Sequence, residues 1–415
     1  MIVSQVQKAL DLFEQGLPEK GMAKLKELLK KPEMNDDLRF EIAQTFLSYG
    51  YLEEAVSLLK ELSLRYPEED EVKLLLAEAL YEGGNEEEAL EVLRQVPTES
   101  AHYLSAVLLM ADIYLNQGLS EVALDKVRQA LEQRPEEKLL YQALGEIYFN
   151  QGEYSLALLN FDKAGNTPPE KLAKCYAHLG RFEEALLQYE EVLKHKKEPS
   201  LLFEAGFVAY QMGEWEKCTS FFEDVIARDP YYVSVYPYLT QGYMKLNRYQ
   251  KALETVEKGL RYDETNAHLF YLHGLLQQRF KNREEAKQSF TQAVRLDPEL
   301  GEAWEALWAL SRDEEEPEEA LKYVQELLKL YPERSDLWLA QGELHEELEQ
   351  DREAEQSFRE AYRLSPQDVE VINRLASFLY GQGKREEARK LWEKSLKLQP
   401  DQWEIEERLM RENDT

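Results

Sequence analysis

The chain has 415 residues, with 81 acidic side chains against 50 basic ones and a formal net charge of −31. A field of that sign repels phosphate backbones and anionic headgroups, which argues against nucleic-acid partners and lipid surfaces. Two cysteines make no disulfide framework, Met1–Leu10 lacks an apolar core of signal-peptide length, and no run of 18 apolar residues occurs; a soluble, cytoplasmic protein without membrane insertion is expected.

From the N-terminus onward the predicted elements recur on a fixed lattice. A small residue falls at Gly21, Ala55, Ala89, Ala123, Ala157, Ala185, Cys218, Ala252, Ala286, Ala320, Ala354 and Ala388, and nine of the eleven gaps are 34 residues. Twelve residues before each stands a second small site, from Ala9 and Ala43 to Gly342 and Ala376, with Thr240 and Trp308 as exceptions. Four residues after each comes an apolar one, from Leu25 to Trp392. Small residues let two antiparallel helices approach closely. Between the small sites, turn glycines such as Gly50, Gly84, Gly118, Gly152, Gly180, Gly213 and Gly383 end a first helix. Prolines, among them Pro67, Pro135, Pro169, Pro230 and Pro400, are expected to stop the second. Each repeat is thus helix, turn, helix, and buries its apolar stripe only against a neighbour.

The first five repeats, residues 1–165, keep strict register. The sixth is irregular: the gap from Ala157 to Ala185 is 28 residues and contains Gly165-Asn166-Thr167-Pro168-Pro169. Its first helix is expected to start near Pro169 with about one and a half turns missing at 3.6 residues per turn, giving a kink or hinge. Residues 166–400 continue the array as repeats six to twelve, with Pro237 in the first turn of a helix that begins late. Residues 401–415, with Trp403, Ile405 and Leu409, suit a C-terminal capping helix.

These positions resemble the tetratricopeptide repeat family, whose signature has small residues at the eighth and twentieth positions and proline at the thirty-second. The acidic chain as a whole also looks like the YpiA-type repeat proteins of Bacillus-like bacteria. The resemblance implies an all-α fold, a right-handed α-solenoid of about twelve helix-turn-helix repeats, binding partners on a concave face lined by first helices. Register on that face picks out Phe40, Glu71, Glu78, Tyr81, Asp112, Glu146 and Phe149 in repeats two to five. It gives Phe203, Phe207, Tyr210, Tyr238, Met244 and Tyr271 in repeats seven to nine, then Glu302, Glu305, Glu343, Glu346 and Glu347. Some members clamp terminal carboxylates with paired Lys and Asn; Glu71, Glu78, Asp112 and Glu146 replace that pattern here. Acidic side chains beside rings suit a basic or amphipathic peptide.

No phosphate-cradling loop, zinc helix or catalytic triad is legible, so neither an enzyme nor a cofactor or metal site is expected. The acidic pairs Glu53-Glu54 and Glu183-Glu184 complement positive helix ends, and Lys194 to Lys197 follows a negative one. The leading expectation is a non-enzymatic scaffold or adaptor for a partner protein or peptide. The alternative is a signalling regulator whose curvature changes when peptide binds.

Overall fold

An apolar stripe every 34 residues and a turn residue between helices produce helical hairpins stacked side by side. The structure, a computed structural model, describes residues 2–32, 34–313 and 316–413. Among them are 25 helices and no strand. The chain falls into two compact bodies, Met1–Val192 and Leu193–Thr415.

The first body contains α1 (Ile2–Glu14), α2 (Pro18–Leu28), α3 (Asp36–Ser48), α4 (Leu52–Arg65), α5 (Asp70–Glu82), α6 (Glu86–Leu93), α7 (Tyr103–Asn116), α8 (Ser120–Gln133), α9 (Lys138–Asn150), α10 (Tyr154–Ala164) and α11 (Pro169–His178), and ends within α12 (Phe182–Leu193). The second contains α13 (Pro199–Met212), α14 (Trp215–Arg228), α15 (Val235–Lys245), α16 (Tyr249–Tyr262), α17 (Ala267–Arg279), α18 (Arg283–Leu296), α19 (Gly301–Asp313), α20 (Pro317–Leu330), α21 (Ser335–Glu347), α22 (Asp351–Leu364), α23 (Val369–Gly381), α24 (Arg385–Leu398) and α25 (Trp403–Asn413). Odd-numbered helices up to α23 are first helices and even-numbered ones second helices, twelve pairs in all. The cap α25 packs on α24 and buries Ile405. The last two residues of the expected cap, 414 and 415, lie outside the described residues.

Every apolar lattice residue from Leu25 to Trp392 is buried. The choice of small residue follows the size of this partner. Gly145, Gly206, Gly274 and Gly342 face Phe161, Phe222, Phe290 and Phe358 within their own hairpins, and a Cβ on Gly206 would come within 2.6 Å of the Phe222 ring. Alanine at that site goes with Leu25, Leu59, Leu93 or Val127 in the first four repeats. The four Gly–Phe hairpins are also the four most closely apposed helix pairs. The missing methyl makes room for a phenyl ring lying against the backbone.

Between the two helices of a pair, the residue after the first helix takes the left-handed conformation, as at Gly84 (φ 78°). Three such positions carry side chains: Asn247 (φ 56°), a residue that tolerates this conformation, and Lys281 (φ 67°) and Glu349 (φ 55°), which turn chemistry alone would not place there.

In the irregular sixth repeat the first helix begins at Pro169, as expected, but the loss is not confined to it. The six missing residues are shared across one loop: α10 has 11 residues where α4 and α8 have 14, and α11 has 10 where α5 and α9 have 13. Gly165 ends α10 at φ 70°. Pro169 therefore does not stop a second helix; it is the first residue of α11, where its missing N–H costs nothing. The late start of α15 at Val235 is as expected, with Pro237 in its first turn. Tyr236 is fully buried there, and its hydroxyl donates to the Pro230 carbonyl at 2.8 Å.

Candidate functional site: the inner faces of the first helices

First helices of successive pairs touch one another, α1 with α3, α3 with α5, α5 with α7 and α7 with α9 in the first body, α13 with α15 and α15 with α17 in the second. Among the described residues second helices show no such close pairing. First helices therefore lie side by side within these stretches, and the candidates picked out by register all belong to first helices.

In the first body Phe40, Tyr81 and Phe149 are half-buried and pack against the continuous core. The Tyr81 hydroxyl accepts from Asn116 on the next first helix, and Phe149 meets Tyr154 edge-on at 5.8 Å. These rings are therefore largely structural. Glu71 and Asp112 are exposed and Glu78 is half-buried. Desolvation, with Glu82 close by, raises the Glu78 carboxyl above its ordinary range, and desolvation raises that of Asp112. Glu146 is engaged in an ion pair with Lys171 on α11.

In the second body the rings of α13 and α15 form one connected array, and Tyr271 on α17 stands apart from it. Phe207 meets Tyr238 at 5.4 Å, Tyr238 meets Tyr210 at 5.4 Å, and Phe203 meets Tyr238 at 5.9 Å. The array includes two rings that the register did not single out: Tyr232, 5.2 Å from Phe203, and Trp215, 5.4 Å from Tyr210. Both lie outside first helices, so a search confined to first-helix register passes over them. Core phenyls back the array and Tyr271 from behind. Phe222 is 5.7 Å from Phe203, and Phe290 is 5.9 Å from Tyr271. Phe203, Phe207, Tyr210, Tyr238, Met244 and Tyr271 are all half-buried, so each ring has a packed side and an open side.

A hydrogen-bonded chain of neutral groups ties three first helices together. The Tyr210 hydroxyl donates to Gln241 Oε1, and Gln241 Nε2 lies 2.7 Å from His268 Nε2. The amide must donate there, so that imidazole nitrogen accepts. Desolvation lowers the His268 pKa, against the opposing pull of Glu302, which keeps the ring neutral. Burial pushes the Tyr210 phenol up, and burial followed by Glu302 and Glu305 does the same for Tyr271.

Further along, the acidic positions are partly compensated. Arg374 on α23 reaches Glu343 at 2.8 Å and Glu346 at 3.0 Å on α21, while Arg334 pairs with Glu305 on α19. Among the described residues no group of three or more His, Cys, Asp or Glu is placed to hold a metal ion, and no helix is long and apolar enough to cross a membrane. The thiols of Cys175 and Cys218 are buried and free, and burial pushes them to about 11 and about 12.

Four family models match parts of the chain. One described as Tetratricopeptide repeat protein 21 ARM repeat matches residues 3–121, and one described as YpiA-like, tetratricopeptide repeats matches 116–166. Two described as Tetratricopeptide repeat match 310–369, and 267–300 with 369–402. TPR repeat-containing protein YpiA of Bacillus subtilis (strain 168) is 33% identical over 147 residues, 35% of either chain, so the match spans about a third of that relative. Among solved structures, YrrB, a TPR protein with an unusual peptide-binding site, is 21% identical with TM-score 0.40, covering 46% of this chain and 97% of its own. MamA is 18% identical with TM-score 0.37, covering 41% and 94%. The Cut9–Hcn1 tetramer of the APC/C is 14% identical with TM-score 0.35, covering 97% and 95%.

Proposed function

We propose that this chain, whose repeats match tetratricopeptide repeat models and in part a YpiA-like one, is a non-catalytic cytoplasmic scaffold or adaptor that binds a partner protein or peptide on its inner acidic and aromatic surface. The observation that carries this reading is the connected aromatic array of α13 and α15, tied to α17 through Gln241 and His268. Half-buried rings with one open side lose little conformational entropy on binding and make good anchors. The partner is basic or amphipathic, because the net charge of −31 and the acidic positions on either side favour approach by cations.

Affinity capture from native cell extract, run in parallel with wild type and a Phe207→Ala/Tyr238→Ala variant, tests the reading. Proteins retained by the wild type and lost from a still-folded variant are expected. Identical retention by both removes the aromatic array from the function. With a captured partner in hand, association should slow as salt rises, since the Debye length falls from about 10 Å at 0.1 M to 3 Å at 1 M.

A second reading, a regulator that changes curvature when peptide binds, draws its support from the shortened α10 and α11. Small-angle scattering with and without partner separates the two: a changed radius of gyration favours the regulator, an unchanged one the rigid scaffold.

A further inference from the structure

Trp308 breaks the lattice. It occupies the small-residue site of the tenth repeat, where ten of the other eleven repeats have Ala or Gly and the eighth has Thr240. Its indole packs along the buried cluster of Ala320, Val324, Leu327 and Leu337 while remaining partly exposed. Among the described residues α19, α21 and α23 approach one another less closely than α13, α15 and α17 do, although Arg374 bridges α21 and α23. Between them opens a cleft floored by Trp308, Leu339 and Leu344 and rimmed by Glu343, Glu347 and Glu370.

Charge at this rim is only partly balanced from within, by Arg374 and by Arg312, which also lines the cleft. Glu343 is held by Arg374 at 2.8 Å, and the Arg312 guanidinium lies over Trp308 at 5.8 Å. Glu347 and Glu370 are exposed and have no ion pair among the described residues. Glu370 also lines the next groove, which holds the exposed Trp403. An apolar floor beneath free carboxylates complements a side chain with an alkyl stem and a cationic head. A second copy of this chain, itself at −31, is a poor occupant, and so is any anionic group.

We propose that the Trp308 cleft receives an arginine or lysine side chain from the same partner segment whose bulky apolar residues rest on α13, α15 and α17. This inference builds on the scaffold reading and adds polarity to it: the segment is apolar at one end and cationic at the other. Four steps separate α13 from α21; at about 10 Å for each packed step and more for the open ones, the span is at least roughly 40 Å. An extended chain at 3.3–3.6 Å per residue needs about twelve residues or more to cross it.

The test uses the full chain and a random dodecapeptide library displayed on phage. Peptides synthesised from enriched clones are titrated by fluorescence anisotropy against wild type, Glu347→Gln/Glu370→Gln, Phe207→Ala and Tyr238→Ala, each shown by circular dichroism to melt as the wild type does. The expected clones carry Arg or Lys towards one end and aromatic or large aliphatic residues towards the other. Their affinity should fall about tenfold in Glu347→Gln/Glu370→Gln, with most of the salt dependence lost. It should fall independently in Phe207→Ala, the rim variant that serves if Tyr238→Ala melts early. Peptides weakened by the aromatic variants but not by Glu347→Gln/Glu370→Gln overturn the cleft assignment and leave the scaffold reading standing. If nothing enriches, or no peptide responds to either class of variant, both fall.

Discussion

Repeats two to four and repeats seven and nine build the same hairpin with opposite volume assignments. In α3 to α8 an alanine faces Leu59, Leu93 or Val127, and the inner face carries Glu71, Glu78 and Asp112. In α13–α14 and α17–α18 a glycine faces Phe222 or Phe290, and those core rings continue directly into Phe203 and Tyr271 on the inner face. In these two repeats the phenyl admitted by a missing methyl touches the surface ring directly, whereas the eleventh repeat has the same pair, Gly342 and Phe358, beneath Glu343 and Glu346. The core phenyl permits an aromatic face without dictating one.

The sharpest way to break this comparison is to add back one methyl. Gly206→Ala should cost about 1–3 kcal/mol through overpacking against Phe222, even though alanine is the better helix former. Adding Phe222→Leu should recover most of that loss and loosen Phe203 and Tyr238. Urea unfolding of the single and double variants checks it; additive losses would show that the pair is not matched. Alanine at Gly381, where an added Cβ meets nothing within 4 Å, should be tolerated.

A second contrast lies in the turns. The described left-handed turn positions of the first body are all glycine, whereas the second body has Asn247, Lys281 and Glu349. Lys281→Gly and Glu349→Gly should each raise stability by about 1 kcal/mol, and Asn247→Gly by less, because asparagine tolerates this conformation. Denaturant midpoints that do not rise would mean that those side chains compensate the strain.

The third test uses pH, and it too singles out the second body. His268 and His273 on α17 both have lowered folded-state pKa values, chiefly through desolvation, with Glu302 acting against it at the first and Glu257 and Glu285 at the second. Folding therefore favours the neutral rings. Their stability contribution is complete above the unfolded value of about 6.5 and is lost as pH falls from there through the folded values. Urea midpoints should drop between pH 7.5 and 5.5 in the wild type and drop less in His268→Gln/His273→Gln; equal drops would exclude these residues as the cause.

The smallest effect compares one thiol in each body. Cys175 and Cys218 are both fully buried, so thiol reagents should report local opening. Cys175 belongs to the 10-residue α11 and Cys218 to one of the most closely packed hairpins, so Cys175 should react faster under native conditions. The reverse order would place the weaker region in the second body.

The fold was legible because the lattice couples residues across fixed intervals, and each interval has a steric meaning. The hairpins, their turn positions, the late α15 and the cap followed from it. Three features escaped for physical reasons. Turn chemistry points to glycine, so Lys281 and Glu349 in a left-handed backbone are invisible until the backbone is seen. The Gly165 to Pro169 cluster marks where α11 begins, but how the six missing residues divide between α10 and α11 depends on where α10 ends, at Ala164. The Gly–Phe matching needs the distance between two helices. Of the inner face, register gave Phe203 to Tyr271 but not Tyr232 or Trp215, whose rings arrive from a loop and a second helix.

Removing three residues from each side of one loop also changes the edge of the stack. At 1.5 Å per residue the hairpin of α10 with the following α11 falls short by about 4.5 Å on that side. Beside that short loop a groove opens between α10 and α11, lined by Leu158, Leu159, Thr167, Leu172 and Tyr176.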